Sequence, residues 1–461
     1  MKQEKAVMGL DMGASALHLL QAIHSSENNT LEWLMPNLAE SEDKATLPLV
    51  QVMVNGKSLF SDAALNALLS GQSVSDIFFG LENLRFSSTY FSVEPAAAHL
   101  AVLADILSNF CRNFSPFSLE SATSAEGRKV GFSHSLAWNI ETAGAVRDCV
   151  NRAIAGQWDL RLMGPYLADE CCALAARHHL GRTITSEQSM LVIHAGASGT
   201  YLSKWRIYPD SYKIELLNSS SGVLPGGNDL DEQFEQFLLK GVNVCSSQDP
   251  LWQRVVAKHV KEICSRSLAQ GATEYQGSIN VPENTHPYPY SVDIGQFESD
   301  LIAKDILSSY RNVIADVIGG FRPTIVSVSG RGASWYFWER MVRGALRFNA
   351  PLQFIADPDG MDVARGAILR RISPEHLLTT QQPPTILDFS WSENTLQLVL
   401  QITATYALSG GTCTVSVDDC PVKIHTDGGV VEDVRYRSSE PIVFEKKNSR
   451  VYDLVLIYRI L

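Results

Sequence analysis

The chain has 461 residues, 45% hydrophobic and 19% charged, with a formal net charge of −12. That is enough apolar material for a large core and more than one domain. The acidic balance argues against nucleic-acid partners, whose non-specific binding depends on Lys and Arg neutralising phosphates. No apolar run reaches membrane-spanning length and no cationic start leads into an apolar leader segment, so a cytoplasmic protein without a membrane partner is expected. The eight cysteines show no paired CxxC spacing. Buried reduced thiols are expected rather than a metal site or a disulfide framework.

In chain order, Ala6-Val7-Met8-Gly9-Leu10-Asp11-Met12-Gly13-Ala14-Ser15 reads as a strand, an acid and a small-residue turn into a second strand. Residues 51–60 alternate and carry Asn55-Gly56, the strongest short hairpin signal. Ser61 or Asp62 is placed to cap the helix that follows. Apolar positions recur at three- and four-residue intervals over 96–110, which predicts a long core helix. A strand over 129–138 carries His134 near its end, read as a structural histidine, and a helix runs from about Asn139 through Ile154. Another helix, over 167–177, carries Glu170, Cys171 and Cys172.

The apolar strand Met190-Leu191-Val192-Ile193 then runs into His194-Ala195-Gly196-Ala197-Ser198-Gly199-Thr200. Tiny side chains let successive N–H groups of such a turn point at an anion, although a plain tight hairpin uses the same residues. Leu224-Pro225-Gly226-Gly227-Asn228-Asp229 opens a helix with acids where an N-terminus favours them. Glu262 and Arg266 fall on a helix around 260–268. A hairpin-like insert over 277–292 and one long helix over 297–318 follow. A third glycine turn, Ser329-Gly330-Arg331-Gly332, comes after a β-branched run, and Asp357-Pro358-Asp359-Gly360 leads into a last helix. After Glu375 the texture shifts to a Thr/Gln/Pro linker and then short β runs. Three strand-to-glycine turns in this order suggest one cleft.

These turns resemble the nucleotide-binding domain of the 70-kDa heat-shock protein (DnaK-type) family, nearest its divergent twelve-type branch common in fungi, within the actin and sugar-kinase superfamily. The resemblance spans about residues 5–372. It implies an α/β class and an actin-like ATPase fold of two duplicated lobes around a central cleft, lobe I at about 1–190 and lobe II at about 191–375. A linker over 376–384 and a small all-β C-terminal domain over 385–461, a shortened β-sandwich-like domain without a helical lid, complete the expected plan.

The resemblance also implies site residues. Asp11, Gly13, Ser15, Gly196, Thr200, Gly226, Gly227, Gly330, Gly332 and Asp359 would surround ATP or ADP with Mg²⁺, Glu262 and Arg266 would frame the adenine, and Glu170 would hold a metal-bound water. Several expected groups are changed together. The stretch 77–85 has no lysine, His194 replaces an acid, Ser329 replaces a glycine, and Arg331 stands where a Phe is expected. An imidazole does not do the hard-oxygen work that Mg²⁺ prefers, so nucleotide binding is expected to be weak or lost.

The first expectation is therefore a non-hydrolysing, chaperone-like binding protein, its partner a protein client or a small molecule in the cleft. The alternative is an enzyme of small-molecule acid–base chemistry, with His194 as the proton-transfer group, Asp11 or Glu170 as orienting acid and Arg331 as anion holder. An active ATPase is the third.

Overall fold

A computed structural model describes residues 4–13, 16–25, 30–34, 46–80, 97–113, 129–134, 140–158, 160–197, 199–209, 212–219, 224–241, 250–269, 273–282, 286–303, 306–330, 332, 337–345, 352–357, 360–373, 377–378, 385–391, 395–404, 412–417, 420–426, 434–437, 442–445 and 452–456. The protein is of mixed α/β class and divides into two compact units, Met1–His376 and Leu377–Leu461.

The first unit begins with the strands β1 (Glu4–Met12), β2 (Ala16–Ser25) and β3 (Thr30–Leu34), an antiparallel meander, with β4 (Thr46–Pro48) against β2. A small sheet follows, formed by β5 (Val50–Val54), β6 (Lys57–Phe60) and β7 (Ser75–Phe79), with α1 (Ser61–Leu69) between its last two strands. Asn55 and Gly56 at its tip have φ of 51° and 75°, the positive values that a tight primed turn requires. Neither Ser61 nor Asp62 caps α1: Phe60 is the capping residue, with no side-chain bond. Ser61 is itself the first helical residue, at φ 50°, because the chain enters the helix directly from β6.

The unit continues through α2 (Ala97–Asn113), β8 (Lys129–His134), α3 (Ile140–Trp158), β9 (Arg161–Leu167) and α4 (Ala168–Leu180). Strands β8 and β9 add in parallel beside β1, so the first sheet runs β3-β2-β1-β8-β9.

A second meander, β10 (Gln188–Ala195), β11 (Thr200–Ile207) and β12 (Ile214–Ser219), opens the other half. It leads to α5 (Gly227–Gly241), α6 (Pro250–Ala269), the hairpin β13 (Glu274–Ile279) and β14 (Tyr288–Asp293), α7 (Ile294–Ala303) and α8 (Ile306–Ile318). The last two correct the expectation of a single helix over 297–318. Then come β15 (Ile325–Ser329), α9 (Phe337–Ala345), β16 (Gln353–Ala356) and α10 (Asp362–Ile372). Here β15 and β16 lie parallel beside β10, so the order is β12-β11-β10-β15-β16. The strand plan of the first sheet is thus repeated.

The helices that end the two halves are exchanged. α4 packs against β10, β11 and β15, while α10 packs against β1, β2 and β8, and the two helices pack on each other. This crossing needs very close backbone approach. A Cβ on Gly366 of α10 would run into the backbone of Cys171 on α4, and one on Gly9 would meet the Ala364 carbonyl. Val7, Leu20 and Ala22 join Met361, Ala364 and Ile368 in one buried cluster at this crossing.

A larger core extends across both halves: Val50, Val52, Ala64, Ala67 and Leu68 belong to the same buried cluster as Trp252, Val255 and Val256 of α6. The Trp252 indole donates to the Leu68 carbonyl at 3.2 Å, and the Asn280 amide donates to the Leu69 carbonyl at 3.2 Å. α1 is therefore tied to α6 by buried apolar and polar contacts.

The second unit contains a sheet in which the strand 395–404 pairs antiparallel with 385–391, 434–437 and 442–445. A further sheet pairs 420–426 with 412–417 antiparallel and with 452–456 in parallel. Among the described residues no helix is long and apolar enough to cross a membrane.

Candidate functional site

Because the two sheets share one plan, Asp11 and His194 hold matching places, each one residue before the end of the first strand of its meander. Asp11 lies opposite His18 on β2 and beside Ser133 on β8. His194 lies opposite Tyr201 on β11 and beside Ser329 on β15. Both turns close by the same backbone bond, Gly13 N–H to Ala16 O and Gly196 N–H to Gly199 O, each at 3.0 Å.

Four residues expected at a phosphate, Gly196, Thr200, Gly226 and Gly227, are brought together, but their donors face protein. Gly227 N–H donates to Gly196 O and Asn228 N–H to Ala197 O, both at 2.9 Å, so the first amides of α5 are held by the turn. Gly226 N–H donates to Asp229 Oδ2 at 2.7 Å. The Thr200 hydroxyl donates to Pro225 O at 2.9 Å, and the Tyr310 hydroxyl bonds the same carbonyl. A helix N-terminus attracts anions through open N–H groups. Here those groups already have carbonyl and carboxylate acceptors. Gly330 (φ 88°) and Gly332 bring the third turn onto the end of β10, where Cβ atoms would stand 2.7 Å and 2.9 Å from Ala195 O.

His194 is 7% exposed, and burial pushes its imidazole down to about 4 despite the opposing pull of Asp169. Its Nδ1 lies 3.6 Å from the Cys172 sulfur, and its ring stacks on Tyr201 with centroids 6.5 Å apart. Its Nε2 lies under the turn, 3.1 Å from where a Cβ on Gly196 would be. Asp11 is also buried, and loss of hydration pushes its carboxyl up to about 7. Asp169 and Glu170 are buried at the start of α4. Burial raises the Cys171 thiol, and Glu170, Asp11 and Asp169 raise it further against the pull of Arg370. Three acids of the first half, one at the end of β1 and two at the start of α4, therefore act on one thiol.

Behind His194, the Ser329 hydroxyl donates to Asp362 Oδ2 at 3.1 Å. Arg365 Nη1 donates to Asp362 Oδ1 at 3.1 Å. Asp357 accepts the Asp362 and Met361 amides at 2.9 Å and 3.3 Å and so caps α10. Sequence reasoning missed this set. The one sequence signal was the adjacent pair Cys171-Cys172, since neighbours on a helix point to different sides: Cys171 towards the acids and Cys172 towards His194.

Glu262 and Arg266 lie on α6, but their side chains, together with Ser15, Arg331 and Asp359, are outside the described residues. On the same helix Lys261 pairs with Asp231 of α5, which Lys258 also reaches at 3.5 Å. Among the described residues no group of three or more His, Cys, Asp or Glu could hold a metal ion. The cysteines 111, 149, 171, 172 and 264 are free and buried. Among the described residues the fit to a Mg²⁺–nucleotide is poor: a neutral imidazole stands where the resemblance expects an acid, and the turn amides are internally bonded. Comparison with protein-family models gives no match, and comparison with curated proteins gives none.

Proposed function

We propose that the unit Met1–His376 has an actin-like ATPase fold of the heat-shock-protein-70 kind whose cleft does not hydrolyse ATP, making the chain a chaperone-like binding protein for a small molecule or a protein client. The repeated strand order and the exchanged helices α4 and α10 support the fold. The observation that carries the function is the hydrogen bonding of the turns. The Gly13, Gly196, Gly226 and Gly227 amides and the Thr200 hydroxyl all donate within the protein. Phosphoryl transfer rests on positioned cations and metal-holding acids, and His194 supplies neither.

The packing of α1 on α6 also supports a protein that does not cycle. Parting them would expose Leu68, Ala67, Trp252 and Val256, buried to 3% exposure or less. At about 2 kcal/mol for a large apolar side chain, opening costs several kcal/mol without nucleotide energy to drive it.

Calorimetric titration with ATP and ADP, with and without Mg²⁺, tests this reading. No magnesium-dependent heat and no ADP formation are expected, and magnesium-dependent micromolar binding would overturn it in favour of a working ATPase. A second reading, an enzyme of acid–base chemistry on a small molecule, is favoured by Asp11, whose carboxyl at about 7 is poised for proton transfer near neutral pH. Turnover of a metabolite without nucleotide, abolished by Asp11→Asn or His194→Ala, would select it.

A further inference from the structure

Asp11 is a buried acid that the fold leaves without a partner. It is 8% exposed, and burial is the only cause of its shift: among the described residues no hydrogen bond and no charge acts on its carboxyl. Its neighbours are engaged elsewhere. His18, opposite on β2, has Nδ1 at 3.0 Å from the Thr46 hydroxyl. Ser133, beside it on β8, donates its hydroxyl to Tyr166 O at 3.0 Å. Arg370 of α10 pulls on the Cys171 thiol but does not act on Asp11.

The place is one where α/β sheets hold ligands. Strands β1, β8 and β9 run parallel, and Asp11, Ser133 and Tyr166 stand in register across their carboxyl ends. α4 starts directly after β9, so the buried Asp169 and Glu170 lie at the same edge. β1 is also where the sheet changes from an antiparallel neighbour, β2, to a parallel one, β8, and ligands of open α/β sheets sit outside the carboxyl ends at such a switch.

Asp11, Asp169 and Glu170 act with the single cation Arg370 on the Cys171 thiol, so acids outnumber bases at this edge. A lone carboxylate is costly to bury. A ligand that brings a positive charge removes that cost. Ser133 narrows the class, because its hydrogen goes to Tyr166 O and it has only lone pairs left to offer. An ammonium group has three N–H donors and no acceptor, which suits a carboxylate and a hydroxyl oxygen side by side. A metal ion needs several ligands around one point, and among the described residues no group of three His, Cys, Asp or Glu provides them.

We propose that Asp11 and Ser133, in the field of Asp169 and Glu170, bind the ammonium group of a small-molecule amine, which supplies the countercharge that the fold leaves out. This rests on the reading of the cleft as a non-hydrolysing binding site and names the chemistry of its ligand. Binding pairs the ammonium with an ionised Asp11, so below about pH 7 a proton leaves Asp11 for each amine bound. Apparent affinity then rises about tenfold per pH unit up to about 7 and levels off above it.

The test is carbon NMR of the full chain with aspartate labelled at the side-chain carboxyl, the Asp11 signal being assigned by its loss in Asp11→Asn. At about pH 6 the signal is expected where a protonated acid resonates, and ethylamine is expected to move it to the carboxylate position. Ethanol, of similar size and without the charge, leaves it in place, as do KCl and MgCl₂ at equal ionic strength. Ser133→Ala and Glu170→Gln each weaken the ethylamine response several-fold.

An Asp11 signal that ethylamine does not move overturns the proposal, as does an Asp11 already ionised at about pH 6 without it. A response unchanged in both Ser133→Ala and Glu170→Gln overturns the site. Ethanol moving the signal equally, or K⁺ or Mg²⁺ moving it more than ethylamine, overturns the ligand class. The calorimetric result is separate. Magnesium-dependent ATP binding with the ethylamine response intact would sink the functional reading and leave the amine site standing, whereas silence towards ethylamine without nucleotide binding would do the reverse.

Discussion

The two hairpins that begin the two sheets, β1–β2 and β10–β11, have one backbone and two chemistries. Each turn closes by an N–H to carbonyl bond of 3.0 Å, and each has a parallel strand on the other side of its first strand. They differ in the side chain set just before the turn, Asp11 in one and His194 in the other. Burial acts on both in the same sense, against charge. It lifts the carboxyl to about 7 and drops the imidazole to about 4. The fold thus supplies a poorly hydrated slot in each half, and the residue in it decides whether the slot holds a protonated carboxyl or a neutral imidazole near neutral pH.

The largest expected effect comes from removing the first slot's charge with Asp11→Asn. Folded Asp11 keeps its proton to about pH 7, whereas the unfolded chain releases it near 3.8. Between those values the folded state binds more protons. Its contribution to stability is therefore full below 3.8 and is lost as pH rises through about 7, a loss of about 4 kcal/mol. Asparagine carries no such dependence. Urea unfolding of Asp11→Asn should show the variant gaining on the wild type across this window, and a constant difference would mean that Asp11 stays hydrated and ionised.

His194→Gln breaks the comparison from the other side. The unfolded imidazole takes a proton below 6.5 and the folded one below about 4. The unfolded state thus binds more protons between them, so stability is full above 6.5 and falls by about 3 kcal/mol as pH drops through about 4. The two slopes oppose each other between about 4 and 6.5. The wild type should be flatter in that window than either variant, with the contribution left in Asp11→Asn rising with pH and that left in His194→Gln falling. Parallel profiles for the two variants would end the idea that one kind of slot acts on both residues.

Much of this architecture was legible in the residues. Apolar strands ending in glycine turns at Asp11, His194 and Ser329 marked strand ends that the structure lines up, and Asn55-Gly56 marked its hairpin because that turn needs two positive φ values. What could not be read was how donors are distributed once the turns meet. Gly227 and Thr200 are suited to an anion, but their hydrogens go to Gly196 O and Pro225 O, acceptors brought there by the docking of α5 on the turn. The approach of Cys172 to His194 was invisible for a related reason. The thiol reaches the imidazole from α4, a separate helix, and no spacing encodes that meeting.

The smallest effects sharpen the comparison at the turns themselves. A methyl at Gly13 would stand 3.0 Å from Ala16 O, and one at Gly196 would stand 3.1 Å from both Gly199 O and His194 Nε2. Neither glycine has positive φ, so each alanine variant costs crowding alone, about 1 kcal/mol, read as a shift in urea midpoint. The costs should be alike, but Gly196→Ala should also displace the His194 nitrogen signals, because its methyl lies against the nitrogen that Gly13→Ala has no counterpart for. At Gly227 a methyl would stand 3.5 Å and 3.6 Å from its neighbours, ordinary contact distances, and the amide bond to Gly196 O is kept. Gly227→Ala should therefore fall within about 0.5 kcal/mol of the wild type. A large loss at Gly227 with none at Gly196 would mean that α5, rather than the imidazole, is the group pressed against the turn.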